Sequence, residues 1–303
     1  MRPRAASKTA EYIALFRALE SVRQPPERRL FDDPLAVRCL RPRFRTVALA
    51  ARVPAVLRRI EQFIDWRWPG VRLAAQSRTH AIDEALKRAV AAGIAQLVIL
   101  GAGYDTRAHR LPELATCRVF EVDRKVMLAG KERLAAPWPR ATPHLCYVPV
   151  DFDRDDLHEK LRGHGFDLRE PVFFIWEGVT PYLSADGVNR TLTFVAQCAP
   201  RSEVVFTYLH RGALDGTHAF AGTSTLFRTL ARVREPFTFG FDPTELPAHL
   251  AERGLTLVWE SATVARRPQA LPGAEQFRIA LAQVPSSSAQ GSVKSRVFPG
   301  PTA

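Results

Sequence analysis

Three acidic residues of this chain, Asp123, Asp151 and Glu177, each stand at or just past the end of a short apolar run. Ahead of them, residues 97–100 form an uninterrupted aliphatic run that stops at Gly101, with Gly103 two positions on. Glycines turn tightly and leave the backbone bare, so a ligand can come close. Asp123 lies 22 positions after Gly101. That is the offset at which an acid bonds ribose hydroxyls in a nucleotide-binding βαβ unit. Glu177 directly follows FFIW. A carboxylate beside a buried strand is costly unless paired. It needs an arginine, a helix terminus or a cationic ligand.

The glycine pattern is GxG without the third glycine of the dinucleotide fingerprint, because Thr106 occupies that place. The third glycine normally allows close helix-to-strand packing around a pyrophosphate. Its absence argues against NAD and for a nucleoside cofactor lacking a pyrophosphate, which S-adenosyl-L-methionine is. The α-ammonium and sulfonium of that molecule favour acids and aromatic faces. An NAD(P)-dependent oxidoreductase is the competing enzyme class.

The elements that must position these residues follow from periodicity. Strands are expected at residues 96–100, 119–122, 145–150, 172–176 and 203–209, with helices at 107–114, 125–134 and 188–198 between them. Such alternation implies a mostly parallel sheet with helices on both faces. Two late strands, 255–260 and 277–284, suit an antiparallel hairpin at the edge. The expected fold is therefore α/β, a Rossmann-like doubly wound and mostly parallel seven-stranded sheet. Residues 9–23, 30–40 and 44–68 read as helices with no strand signal, so residues 1–75 form an N-terminal helical cap. A long helix at 71–92 leads into a cofactor-binding domain over 76–284. An insertion near 210–250, including PFTFGF, would lie over the carboxyl edge of the sheet as a substrate lid. The small polar tail at 285–303 should be disordered.

Composition narrows the class. The 303 residues carry a net charge of +12, and +10 of it falls in residues 1–80, where 17 Lys or Arg face 7 Asp or Glu. The cations are scattered arginines rather than a run, so nucleic-acid binding is disfavoured, and a basic RNA-associated protein is a third alternative. No apolar run approaches the ~20 residues of a membrane span, and the N-terminus lacks the apolar core of a secretory signal. Cys39, Cys117, Cys146 and Cys198 form no CxxC. A cytoplasmic protein without a metal site is expected.

Jointly, TAEYIALFRALE, LFDDPLA, SRTHAIDEAL, ILGAGYDTRAHRL, VFEVDR, VPVDF and WEGVTPYLS resemble the class I S-adenosylmethionine-dependent methyltransferases related to leucine carboxyl methyltransferase, in their bacterial, largely actinobacterial branch. The likeness covers nearly all of the first 210 residues. It implies that Arg78 holds the cofactor carboxylate and Gly101 meets the methionine part through its backbone. Asp123 would bind the ribose, Asp151 and Phe152 would bracket the adenine, and Glu177 would face the amino-acid end. The family usually carries Asp-Leu where this chain has Asp151-Phe152. From the residues alone, Arg78 reads equally as a surface arginine, and Asp151 competes with Asp153 and Asp155 as a loop acid.

The expected reaction is O-methylation of a carboxylate or acidic hydroxyl on a small organic metabolite. A carboxylate with pKa ~4 needs no base, whereas a phenol near ~10 would gain from one. His210 is the one histidine placed to act as a base, though it reads also as a plain loop residue. Tyr182 and Tyr104 are candidates for the methyl pocket or for packing.

Overall fold

The apolar runs form one seven-stranded sheet: β1 (Gln96–Leu100), β2 (Arg118–Asp123), β3 (Leu145–Pro149), β4 (Val172–Trp176), β5 (Glu203–Leu209), β6 (Thr256–Ala262) and β7 (Phe277–Gln283). The strand order is β3-β2-β1-β4-β5-β7-β6. The first five strands pair in parallel, and β7 runs antiparallel between β5 and β6. This is the Rossmann-like, mostly parallel sheet with an antiparallel edge pair that the sequence predicts. The structure, a computed structural model, describes residues 7–263 and 272–286. Part of the connection between β6 and β7 and nearly all of the tail expected to be disordered lie outside the described residues.

The central strands β1 and β4 are buried along their whole length because both faces of the sheet are covered there. Alternate residues separate into two cores. Val98, Leu100, Phe120, Phe174 and Trp176 pack on one face. Leu97, Ile99, Val119, Phe173 and Ile175 pack on the other.

The helices are α1 (Lys8–Ser21), α2 (Pro42–Ala50), α3 (Pro54–Arg67), α4 (Val71–Ala91), α5 (Arg107–Arg110), α6 (Lys125–Ala135), α7 (Leu157–Arg162), α8 (Ala185–Ala196), α9 (Arg211–Asp215), α10 (Thr223–Val233) and α11 (Leu246–Ala251). Pro42 and Pro54 open α2 and α3, where a missing N–H costs nothing. Ser7 caps α1 by accepting from Ala10 N at 3.2 Å. The first three helices share a core with Ala75 of α4 and with Ala135 and Trp138 near α6. The cap thus packs on the sheet's own helices. The division drawn at residue 75 falls inside α4, which runs unbroken from Val71.

The helix expected over 107–114 is one turn, α5, followed by a 3-10 turn at Pro112–Thr116. Pro112 accounts for the break, since it offers no N–H to continue the α ladder.

Candidate active site

The carboxyl ends of β1 to β4 open on a cavity of about 1250 Å3. It lies where β2 and β4 flank β1 and the direction of strand addition reverses, the usual ligand crevice of open α/β sheets. Gly101, Gly103, Asp123, Asp151, Phe152 and Glu177 all line it, joined by Arg78 of α4. Tyr104 and Tyr182 line it as well.

The bend after β1 is built from backbone. Gly101 N and Ala102 N both donate to Val122 O, at 2.7 and 2.9 Å, folding the chain over the tip of β2. Gly101 has φ +70°, in the region that glycine tolerates. A β-carbon there would stand 2.3 Å from Val179 Cγ2. The side of Gly101 where a side chain would stand is filled by the chain's own Val179. At Gly103, φ +44°, the nearest atoms to such a carbon are 3.7 Å away, leaving room. Gly103 N donates to Asp123 Oδ2 at 2.8 Å, and Arg124 N to Asp123 Oδ1 at 2.7 Å. Burial raises the Asp123 carboxyl above its usual value, against the pull of those two N–H groups.

Past β3, Asp151 Oδ1 accepts from Asp153 N at 3.2 Å, and Asp151 N donates to Asp155 Oδ2 at 2.8 Å. Asp155 thus closes the turn, while Asp151, Phe152 and Asp153 line the cavity. Asp153 is tied to Ser184 Oγ at 3.0 Å.

Glu177 is already paired within the protein. Oε1 accepts from Arg78 Nε at 3.0 Å and Thr79 Oγ1 at 3.4 Å, and Oε2 from Arg107 Nη2 at 3.0 Å. Burial would raise its pKa, but Arg107 and Arg78 outweigh it and hold the group below the usual carboxylate range. The cation that the sequence required for Glu177 is thus a pair of arginines. Arg78 is pinned through Nε, and its Nη atoms remain at the cavity wall beside Gly178.

Sequence reasoning missed the buried ion network behind this wall. Arg107 Nε meets Asp83 Oδ1 at 2.7 Å, and Arg107 Nη1 meets Asp105. Arg110 Nη2 reaches Asp83 Oδ2 at 2.6 Å. Thr106, expected only as a missing glycine, donates from Oγ1 to Asp33 Oδ2 at 2.7 Å, where Arg17 Nε also arrives at 2.8 Å. The DTR of the glycine motif thereby locks the cap to the sheet. Burial would raise Asp105, yet the Arg107 and Lys131 charges bring it well below its ordinary value. Glu121, two residues before Asp123 on β2, is fully buried and pairs with Lys131 at 2.6 Å. The two atoms meet as charges without hydrogen-bond alignment, and burial holds Glu121 up at about 7.

The placement of His210 as a base is corrected. It does not line the cavity. Its Nδ1 accepts from Gly212 N at 3.0 Å to cap α9, and its ring packs against His218 and Phe220 at 4.8 and 5.3 Å. Burial and the neighbouring His218 lower its pKa. Tyr182 does face the cavity, packed on Phe237 at 5.1 Å, with burial pushing its hydroxyl up to about 12. Among the described residues no helix is long and apolar enough to cross a membrane, and no cluster of three or more His, Cys, Asp or Glu could hold a metal.

An open sheet of this order, with a glycine bend after β1 and acids at the tips of β2, β3 and β4 around one cavity, is the architecture of a Rossmann-like methyltransferase. Comparison with known proteins identifies the family. A model described as leucine carboxyl methyltransferase matches residues 10–196. A Frankia alni protein named as an S-adenosyl-L-methionine-dependent methyltransferase is 36% identical over 224 residues, 71% of this chain and 73% of its own. A Mycobacterium tuberculosis protein named in the same way is 40% identical over 160 residues, 52% of this chain and 47% of its own. A solved Thermobifida fusca structure described as a methyltransferase shares the fold at a TM-score of 0.55 and 18% identity, covering 89% of this chain and 94% of that one. The chain belongs to the leucine carboxyl methyltransferase family and is an S-adenosyl-L-methionine-dependent methyltransferase. That membership replaces the oxidoreductase alternative raised by the glycine pattern.

Proposed function

We propose that the chain transfers the methyl group to an oxygen of an acid, the carboxylate or acidic hydroxyl of a small organic metabolite. The observation that supports this is the state of the titratable groups around the cavity. Among the described residues its lining holds arginines, carboxylates and tyrosines, but no histidine, lysine or cysteine. Burial pushes the Tyr104, Tyr182 and Tyr208 hydroxyls above their usual range, so none of them is a base at neutral pH. Glu177 is engaged by two arginines, and Asp123 by two backbone N–H groups. An acceptor already ionised, as a carboxylate is above ~pH 5, needs no proton removed.

The residues fit the cofactor by donor chemistry. Arg78 is held through Nε, and its Nη atoms, without a hydrogen bond among the described residues, suit the cofactor's carboxylate. Asp123 and the open backbone at Gly103 suit ribose hydroxyls, and Asp151 with Phe152 suits an adenine amino group and ring face. Glu177 acts through Arg78, fixing its orientation. When bound, S-adenosyl-L-methionine supplies a methyl group activated by a sulfonium leaving group. The chain's own part is alignment and exclusion of water. Segments over the cavity serve this, since Glu235 beyond α10 accepts from Thr9 Oγ1 at 2.6 Å and from Thr9 N at 3.1 Å.

The test is transfer of radiolabelled methyl from S-adenosyl-L-methionine to a panel of acids, phenols and amines. A carboxyl ester releases its label as volatile methanol in base. Base-stable label, confined to phenols without acidifying groups or to amines, would overturn the assignment.

A further inference from the structure

Building on that acid-methylation reading of the same cavity, we propose that the acceptor is an acid with a long or bulky hydrocarbon body, housed beneath α1, α3 and α10. The cavity has two unlike sides. Its polar side is the carboxyl edge of the sheet, where Arg78, Asp123, Asp151 and Glu177 stand. Its other side is made by helices. Val56, Ile60, Phe63 and Ile64 recur at helical spacing along α3, and Leu226, Leu230 and Val233 do so along α10. Tyr12, Ile13 and Phe16 of α1 and Phe44 and Val47 of α2 complete it.

The outer sides of α3 and α10 are polar and exposed, carrying Arg58, Arg228 and Arg232. An amphipathic helix of this kind normally buries its apolar stripe against protein. Here both stripes line a space of about 1250 Å3, more than the roughly 300–1,000 Å3 that holds one drug-sized ligand. A nucleoside cofactor on the polar side leaves the apolar side to a second molecule, and only hydrocarbon gains by covering it.

The entrance has the matching character. Phe63 lines the cavity and is 59% exposed, and it packs on Trp66, 75% exposed, at 6.1 Å. Arg59 and Arg234 line the same cavity, are exposed, and make no ion pair among the described residues. An apolar path flanked by unpaired cations favours an amphiphilic anion over a neutral lipid or a small hydrophilic acid.

The test uses the full chain saturated with S-adenosylhomocysteine. Binding of butyrate, octanoate, dodecanoate and hexadecanoate is measured by calorimetry, and methyl transfer to each is measured separately. Affinity should rise about threefold to fourfold per methylene until the chamber is full. Val56→Trp and Val233→Trp, which partly fill it from opposite helices, should each shift the plateau to a shorter acid. Both should leave S-adenosylhomocysteine affinity unchanged, which also reports that the variant has folded. Hexadecanoate binding no tighter than butyrate would overturn the chamber assignment, even if short acids are methylated well. Affinity that climbs with chain length while no acid accepts the methyl group would uphold the chamber and overturn the carboxyl acceptor.

Discussion

Arg78 Nε and Glu177 Oε1 meet at 3.0 Å on side chains that are each 11% exposed, joining α4 to the tip of β4. The geometry makes the two residues one device. A β-carbon on Gly178 would lie 3.0 Å from Arg78 Nη2, so the guanidinium comes close to a backbone with φ +67° that glycine suits best. Glu177 fixes the Nε edge and the Nη atoms are left for an anion.

Glu177→Gln should therefore damage two things at once. Arg78 and Arg107 would face a neutral amide in a buried setting, and breaking such a pair costs about 3 kcal/mol or more of stability. Affinity for S-adenosyl-L-methionine should fall with it, because the anion-binding edge of Arg78 loses its anchor. Denaturant unfolding and calorimetry read the two effects separately. A stability loss with unchanged affinity would show that Arg78 holds its orientation without Glu177.

Asp123→Ala should weaken cofactor binding by roughly 1–3 kcal/mol, the scale for lost hydrogen bonds to a charged group. Gly103 N loses its 2.8 Å acceptor in the same change, so the bend after β1 loosens too. Asp123→Asn retains an acceptor for Gly103 and should recover part of the loss. Titration calorimetry of both variants decides, and an unaltered dissociation constant for the alanine variant would remove Asp123 from the site.

Much of this was legible in the chain because it is local. The stop of an aliphatic run at Gly101, and the acid 22 positions on, are fixed by the βαβ unit itself. The strands from β1 to β5 announce themselves because each carries a short run of apolar residues. The ion network was illegible for the opposite reason. Arg107 finds Asp83 and Glu177, 24 and 70 positions away, through tertiary packing that no local spacing records. The same limit applied to His210. Its position after β5 suggested the cavity, but the short turn of α9 draws its Nδ1 onto Gly212 N.

Acid should unfold the protein through this network. Glu177 titrates below its ordinary 4.5, and Asp105 well below its ordinary 3.8, because Arg107 stands beside both. The unfolded chain then binds more protons than the folded one in that range, so stability rises with pH there and is lost as pH falls. The contribution is whole above about pH 4.5 and drains as the solution is acidified through the folded-state values. Glu121 runs the other way. Burial holds it at about 7, so its effect lies between pH 4.5 and 7, where stability declines with rising pH. Thermal midpoints from neutral pH down to about pH 3 test this, and Asp105→Asn should make the acid limb shallower.

The two glycines of the bend should differ in tolerance. Gly101→Ala puts a carbon 2.3 Å from Val179 Cγ2 in a φ +70° backbone and should cost about 2–4 kcal/mol, strain and overpacking together. Gly103→Ala meets nothing nearer than 3.7 Å and should cost only the conformational part, about 1 kcal/mol. Adding Val179→Ala to Gly101→Ala should return the steric share and leave the backbone share. Equal destabilisation by the two single variants would refute this division.

Glu235 gives the last expectation, because its carboxylate joins the segment after α10 to the start of α1. Its carboxylate accepts from Ser7 Oγ at 3.2 Å, Lys8 N at 3.2 Å, and Thr9 N and Oγ1 at 3.1 and 2.6 Å. These N–H groups belong to the first turn of α1, where a negative group is favoured by both hydrogen bonding and the helix dipole. Glu235→Ala should cost about 1–2 kcal/mol at that helix start. It should also loosen the chain after α10 from the cap, leaving the Trp68 Nε1 bond to Thr229 Oγ1 at 3.1 Å as a remaining tie, and so expose the cavity to water. Limited proteolysis should then cut that segment faster, with saturating S-adenosylhomocysteine giving less protection than in the unmodified chain. Cleavage at an unchanged rate would mean that the Trp68 Nε1 bond to Thr229 Oγ1 at 3.1 Å and the Thr238 N bond to Pro181 O at 2.7 Å hold the segment without help from Glu235.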